Sequence, residues 1–227
     1  MIRQLSIAVF TTVCTLFGGA NAIKAETLTF DELGSPTPVD GLTIKGVTFD
    51  FKIDGVDSTD ATYNLSFDVP PEAPENFVVN LQQPFLEGNA KGVLTLDFAT
   101  PISELQFAAA LPILNTLAPG FTVELFDPEL QSLGITPVET NPLVFLSEGL
   151  FTYSGVPVIK AVVDFDETKL GFDEVSPPRF IFDNLSYTSV PEASSLTGLL
   201  ALVVLGGASQ LSRLQRTHMN AIALAKR

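Results

Sequence analysis

The chain predicts an all-β body of two packed antiparallel sheets, set between two apolar terminal segments. Three observations carry this reading. Between residues 26 and 189 short runs alternate apolar with polar residues, which is the period of a half-buried strand. Pro, Gly, Asn and Asp separate those runs, and no stretch there has the spacing of an amphipathic helix. The 18 Phe of the 227 residues supply bulk for the space between two sheets, and a hydrophobic content of 46% is ample for one core. A chain of this length allows one folded domain with short appendages.

Taken in order, Arg3 precedes an apolar run over residues 5–17, followed by Gly18, Gly19 and the small-residue pattern Ala20-Asn21-Ala22. This is the layout of a secretory signal peptide over residues 1–22, cleaved by signal peptidase after Ala22, with Ala25 as a second candidate. Cys14, the one cysteine, leaves with that peptide, because Thr11-Thr12-Val13 before it lacks the residues of a lipidation signal. Strands are expected over 27–31 and over 42–53, the latter with a bulge at Gly46 where the apolar phase slips. Further strands are expected over 62–69, 77–81, 93–98, 105–109, 121–126, 150–153, 158–165 and 180–187. The Pro-rich segments at 70–74 and 177–178 read as stiff surface connections, since strand patterning continues on both sides.

After the body, residues 196–211 form an uncharged apolar stretch, which as a helix reaches about 24 Å, a little short of a bilayer core of about 30 Å. Arg213, Arg216, Lys226 and Arg227 follow it, and Glu192 precedes it. The positive flank keeps that tail cytoplasmic and the body outside, so residues 196–211 are expected to be a transmembrane helix. Residues 26–189 carry 25 acidic against 6 basic side chains, a net charge of −19, while the whole chain stands at −14. A body so acidic is not expected to partner nucleic acid or an anionic membrane surface.

The body also excludes much chemistry. It has neither Cys nor His, since the one histidine is His218, so zinc sites with the usual ligands and Ser-His triads are unavailable. Carboxylates remain. Asp54, Asp57 and Asp60 lie on one loop and read as a turn. Asp164, Asp166 and Glu167 read as a strand end with Phe165 inward. A glycosidase needs two carboxyls straddling the bond, and no pair stands out, so catalysis is not expected. Trp is absent and the tyrosines are only Tyr63, Tyr153 and Tyr187, which gives few broad aromatic platforms for sugars. Asn64-Leu65-Ser66 and Asn184-Leu185-Ser186 match a glycosylation sequon but sit within strands, where chance is the better explanation.

The segment Val190-Pro191-Glu192-Ala193-Ser194-Ser195, followed by a Gly-containing apolar helix and an arginine-bearing tail, resembles the PEP-CTERM sorting signal of bacterial exported proteins. Pro191 and Glu192 match its motif, and Ala193 departs from the usual second proline. The resemblance implies a tripartite signal over 190–227, with motif 190–195, helix 196–211 and basic tail 212–227. It also implies export through Sec-type machinery, an inner-membrane-anchored precursor, processing by an exosortase-like membrane protease, and a final place at the cell surface or outside it. The texts Leu28-Thr29-Phe30-Asp31-Glu32-Leu33, Gly46-Val47-Thr48-Phe49 and Phe182-Asp183-Asn184-Leu185-Ser186-Tyr187 are similar to those of PEP-CTERM proteins with carbohydrate-binding-like sandwiches. That similarity implies a jelly-roll-like connection of the sandwich. It further implies a structural calcium, with Asp31, Glu32 and Asp183 as its ligands; no other cofactor is expected.

The expectation is thus a non-enzymatic exported protein whose residues with an assigned role are Pro191 and Glu192, as features a processing protease reads. The alternative is a calcium-dependent carbohydrate-binding module at the cell surface, with a glycan as its partner. A carboxylate-dependent glycan hydrolase is a third class.

Overall fold

The computed structural model describes residues 25–66, 79–165, 167–170 and 177–190. The expected signal peptide, the 70–74 segment and the sorting signal beyond Val190, with Pro191, Glu192 and the apolar stretch 196–211, lie outside the described residues. Among the described residues no helix is long and apolar enough to cross a membrane.

All twelve described strands are hydrogen-bonded into one continuous antiparallel sheet that folds over on itself. They are β1 (Ala25–Leu28), β2 (Thr37–Pro38), β3 (Thr43–Ile44), β4 (Val47–Ile53), β5 (Val56–Asp57), β6 (Ala61–Leu65), β7 (Phe85–Asn89), β8 (Gly92–Leu111), β9 (Leu117–Phe126), β10 (Ser132–Pro142), β11 (Ser147–Phe165) and β12 (Arg179–Ser189). The scaffold is the ladder between β8 and β11, which runs from Leu111 opposite Ser147 to Val93 opposite Asp164. Its register slips between Ser154 and Lys160, and Pro101 lies on the facing strand. There both strands pass from one layer to the other.

The first layer sets the C-terminal half of β8 between β12 and the N-terminal half of β11. Beyond β12 come β1 along one part of its edge and β7 along the other, then β6 and β2. The second layer sets the N-terminal half of β8 between β4 and the C-terminal half of β11, followed by β9 and β10. Rings fill the space between the layers. Phe180 of the first stacks on Phe165 of the second at 4.2 Å between centroids and also meets Phe51 at 5.9 Å. Phe107 meets Phe121 at 6.1 Å. Phe180 explains Gly88 on β7, because a Cβ there would lie 2.5 Å from its ring.

The all-β expectation agrees with the structure, and several details of it are corrected. No bulge sits at Gly46: Lys45 and Gly46 both have positive φ, 46° and 81°, and close a two-residue hairpin pairing Ile44 with Val47. The strands expected at 93–98 and 105–109 are one strand, β8, and those at 150–153 and 158–165 are one strand, β11. Pro101 and Ser154-Gly155-Val156-Pro157 mark corners within strands, where a turn signal suggested an end. Residues 79–81 of the strand expected at 77–81 are not in a strand, and 77 and 78 lie outside the described residues. The strands β7 and β10 were not expected. The opening strand, expected over 27–31, ends at Leu28.

Candidate binding face

The face of the first layer turned away from the core is divided into a covered half and an open half. Along β8, Leu105, Phe107, Ala109 and Leu111 point into the main core, so Glu104, Gln106, Ala108 and Ala110 point out. On β11, Phe151 and Tyr153 pack on the core and leave Glu148, Leu150, Thr152 and Ser154 on the outer face. On β12 a register slip between Asp183 and Ser186 resets the phase, so that Phe180, Phe182, Leu185 and Tyr187 all face inward. Asn184 takes the positive φ of 53° that this slip needs, and its amide donates to the Asn80 carbonyl.

Over the covered half lies a strap, residues 79–84. Its Leu81 inserts between Ala108, Ala110, Leu146 and Ile181, and with Phe85 completes a second apolar cluster. Two buried carboxylates hold its backbone. Glu148, 7% exposed, accepts from the backbone N–H groups of Val79 at 3.1 Å and Asn80 at 2.9 Å and from the Asn80 amide. Asp183, 1% exposed, accepts from the Gln82 N–H at 2.5 Å through Oδ2, while its Oδ1 is buried without a hydrogen-bond partner. Burial pushes the Asp183 carboxyl up to about 6; the backbone N–H groups of Gln82 and Asn184 pull the other way, and the charges of Glu148 and Glu32 push it further up. A hollow of about 390 Å3 adjoins the strap between Asn80, Glu139, Asn141 and Leu150.

The open half carries two rows of outward side chains crossing four strands, all polar except Ala25. One row is Thr27, Ser186, Gln106 and Thr152, each opposite the next on β1, β12, β8 and β11. The other is Ala25, Thr188, Glu104 and Ser154. Thr188 Oγ1 donates to Glu104 Oε2 at 2.8 Å, and Glu104 Oε1 has no partner among the described residues. Apart from Thr27, the rows floor a shallow, open groove of about 320 Å3 in which Glu104 is the one charged lining residue among those described.

Of the residues the sequence nominates, Asp31, Glu32 and Asp183 gather around one phenol, that of Tyr63. Burial raises the Tyr63 hydroxyl above its ordinary range, its hydrogen bond to Glu32 raises it further, and the charges of Asp31 and Asp183 add to this. Burial would raise the Glu32 carboxyl, but hydrogen bonds from Lys45 and Tyr63 outweigh it and hold it low. Both Glu32 oxygens are engaged, Oε1 by Lys45 at 2.8 Å and Oε2 by Tyr63, and Asp31 accepts from Thr29 at 2.6 Å. The carboxylate oxygens of the three do not all lie within 4.8 Å of one another. The one group of three carboxylates among the described residues whose oxygens all lie within 4.8 Å of one another is Asp40, Asp50 and Asp57, and Lys52 bridges two of them. Tyr63 and Tyr187 are buried, while Tyr153 is half-buried, lines the groove and donates its hydroxyl to the Val156 carbonyl. The two sequon asparagines also have a structural use: Asn64 and Asn184 sit at positive φ and donate to the carbonyls of Leu33 and Asn80. Glu148 and the two rows are the features that sequence reasoning missed.

No family model matches this chain, and no curated protein matches it. Among solved structures it is similar to CBM29_1, a family 29 carbohydrate-binding module from Piromyces equi, at 8% identity and a TM-score of 0.37, over 74% of this chain and 93% of that one. It is similar also to a variant of CBM29-2, at 9% identity and a TM-score of 0.36, over 73% and 93% of the two chains. A further CBM29-2 variant, complexed with mannohexaose, matches at 9% identity and a TM-score of 0.34, over 73% and 93%. Likenesses at such scores carry no inference about what this chain binds.

Proposed function

We propose that the body is a non-catalytic carbohydrate-binding module of an exported protein, and that it takes a polyhydroxylated chain side-on across the open half of the outer face. The observation that carries the reading is the pair of cross-strand rows on the groove floor. Neighbouring strands stand about 4.8 Å apart, so Ser186, Gln106 and Thr152 repeat hydrogen-bonding groups along the groove at that interval. Hydroxyls and amides both donate and accept, which matches the two-way chemistry of sugar hydroxyls along a chain. Each such bond contributes a net 0.5–1.5 kcal/mol or so, so several must form together and affinity should rise with oligomer length. Among the described residues the groove offers one carboxylate, Glu104, where hydrolysis of a glycosidic bond uses two.

Export, anchoring through residues 196–211 and processing at Pro191 and Glu192 belong to the same proposal, supported by the sequence of the two ends. The test is binding of an oligosaccharide panel, graded in length, to the full-length protein. Gln106→Ala and Thr152→Ala are expected to lower affinity severalfold with unchanged melting. A protein that binds no member of the panel overturns the reading.

A further inference from the structure

We infer that the groove discriminates by charge and selects glycans bearing free amino groups over neutral ones, and neutral ones over uronates. This rests on the carbohydrate-binding reading above and specifies its ligand class. Among the described residues the groove is lined by one acidic side chain, Glu104, at the middle of its row between Thr188 and Ser154. Thr188 engages only Oε2, and Oε1 is left to whatever lies in the groove. Among the described residues no lysine or arginine lines the groove, so none of these competes for that oxygen or welcomes an anion.

The order of preference follows from what each ligand does to Glu104. A neutral sugar laid over the row strips water from the carboxylate and returns neutral hydrogen bonds. An ammonium on the same ring returns a charge-assisted bond, which is shorter and stronger. A uronate brings a second anion to a site that can only repel it, in a body whose net charge over residues 26–189 is already −19. The other lining groups, Gln106, Thr152, Ser154, Ser186 and Thr188, are neutral and serve all three ligands alike. Charge selection is thereby concentrated in one side chain.

The experiment compares matched oligomers of a neutral hexose, a de-N-acetylated hexosamine and a hexuronic acid, measured calorimetrically on the full-length protein and on Glu104→Gln. The amino oligomer should bind roughly tenfold tighter than the neutral one, the difference between a charge-assisted and a neutral bond. That margin should shrink as salt is raised. In Glu104→Gln, which keeps an acceptor for Thr188, the ratio of amino to neutral affinity should fall from roughly tenfold to near one, and because both oligomers are read on the same protein, any change in neutral affinity drops out of that ratio. Equal binding of all three oligomers, or an unchanged margin in the variant with its melting preserved, overturns the inference and leaves the binding reading standing. Failure of every oligomer to bind overturns the binding reading itself.

Discussion

The two halves of the outer face share the strands β8, β11 and β12, yet one is a second core and the other a polar floor. Moving along β8 from Ala110 and Ala108 to Gln106 and Glu104 crosses the boundary within four consecutive outward positions. In the covered half the side chains are small, because Leu81 and Phe85 lie on top of them. In the open half they are long or hydroxylated, because nothing among the described residues covers them. A sheet face is therefore not one environment: a strap of six residues, held by Glu148 and Asp183, decides which part buries apolar area and which part stays available to a ligand.

Substitutions should divide along the same line. The largest effect is expected from Leu81→Ala, which empties the second cluster and should cost about 3 kcal/mol in urea unfolding. Its overpacked counterpart, Ala110→Leu, should cost about 2 kcal/mol. If either leaves the unfolding midpoint unmoved, the strap is not packed as described. Asp183 gives the contrast a pH dependence. Its folded value of about 6 lies above the ordinary 3.8, so the folded state holds its proton more tightly than the unfolded chain does. The stability this group contributes is fully present below about pH 4 and is lost as pH rises through about 6. Asp183→Asn keeps an acceptor for Gln82 and should flatten that part of the melting curve between pH 4 and 7.5, leaving the variant the more stable at the upper end; an unaltered slope would assign the pH dependence elsewhere. The smallest effects belong to the open half, where Gln106→Ala and Thr152→Ala should change stability by no more than about 0.5 kcal/mol while weakening glycan binding. A large loss of stability there would mean the rows hold the fold together.

The sequence made the body legible wherever burial on one face imposed alternation, as in Val47–Ile53 and over 121–126. It was misleading where strands turn corners. Pro101 and Gly155 look like ends, but the chain bends through them while staying paired. β10 was invisible because Ser132 through Pro137 are all exposed, so no alternation marks them. β7 was hidden by Gly88, whose place is set by the Phe180 ring from a strand far along the chain. Asp183 stood out from its neighbours, but as a metal ligand by resemblance; what the structure gives it is a backbone N–H to hold. Glu148 carried no signal, since its partners lie 68 and 69 residues away. The groove was equally hidden, because it exists only when four separate strands fall into register.

The continuity of β8 and β11 through both layers has a mechanical consequence. Two sheets joined only by loops can slide or peel apart one at a time, whereas here a tug on either is transmitted along covalent backbone into the other. Deuterium uptake by the amides of Leu94–Phe98 and Leu105–Ala109 should accordingly share one opening event, and a glycan caught on the groove would pull against the whole body at once.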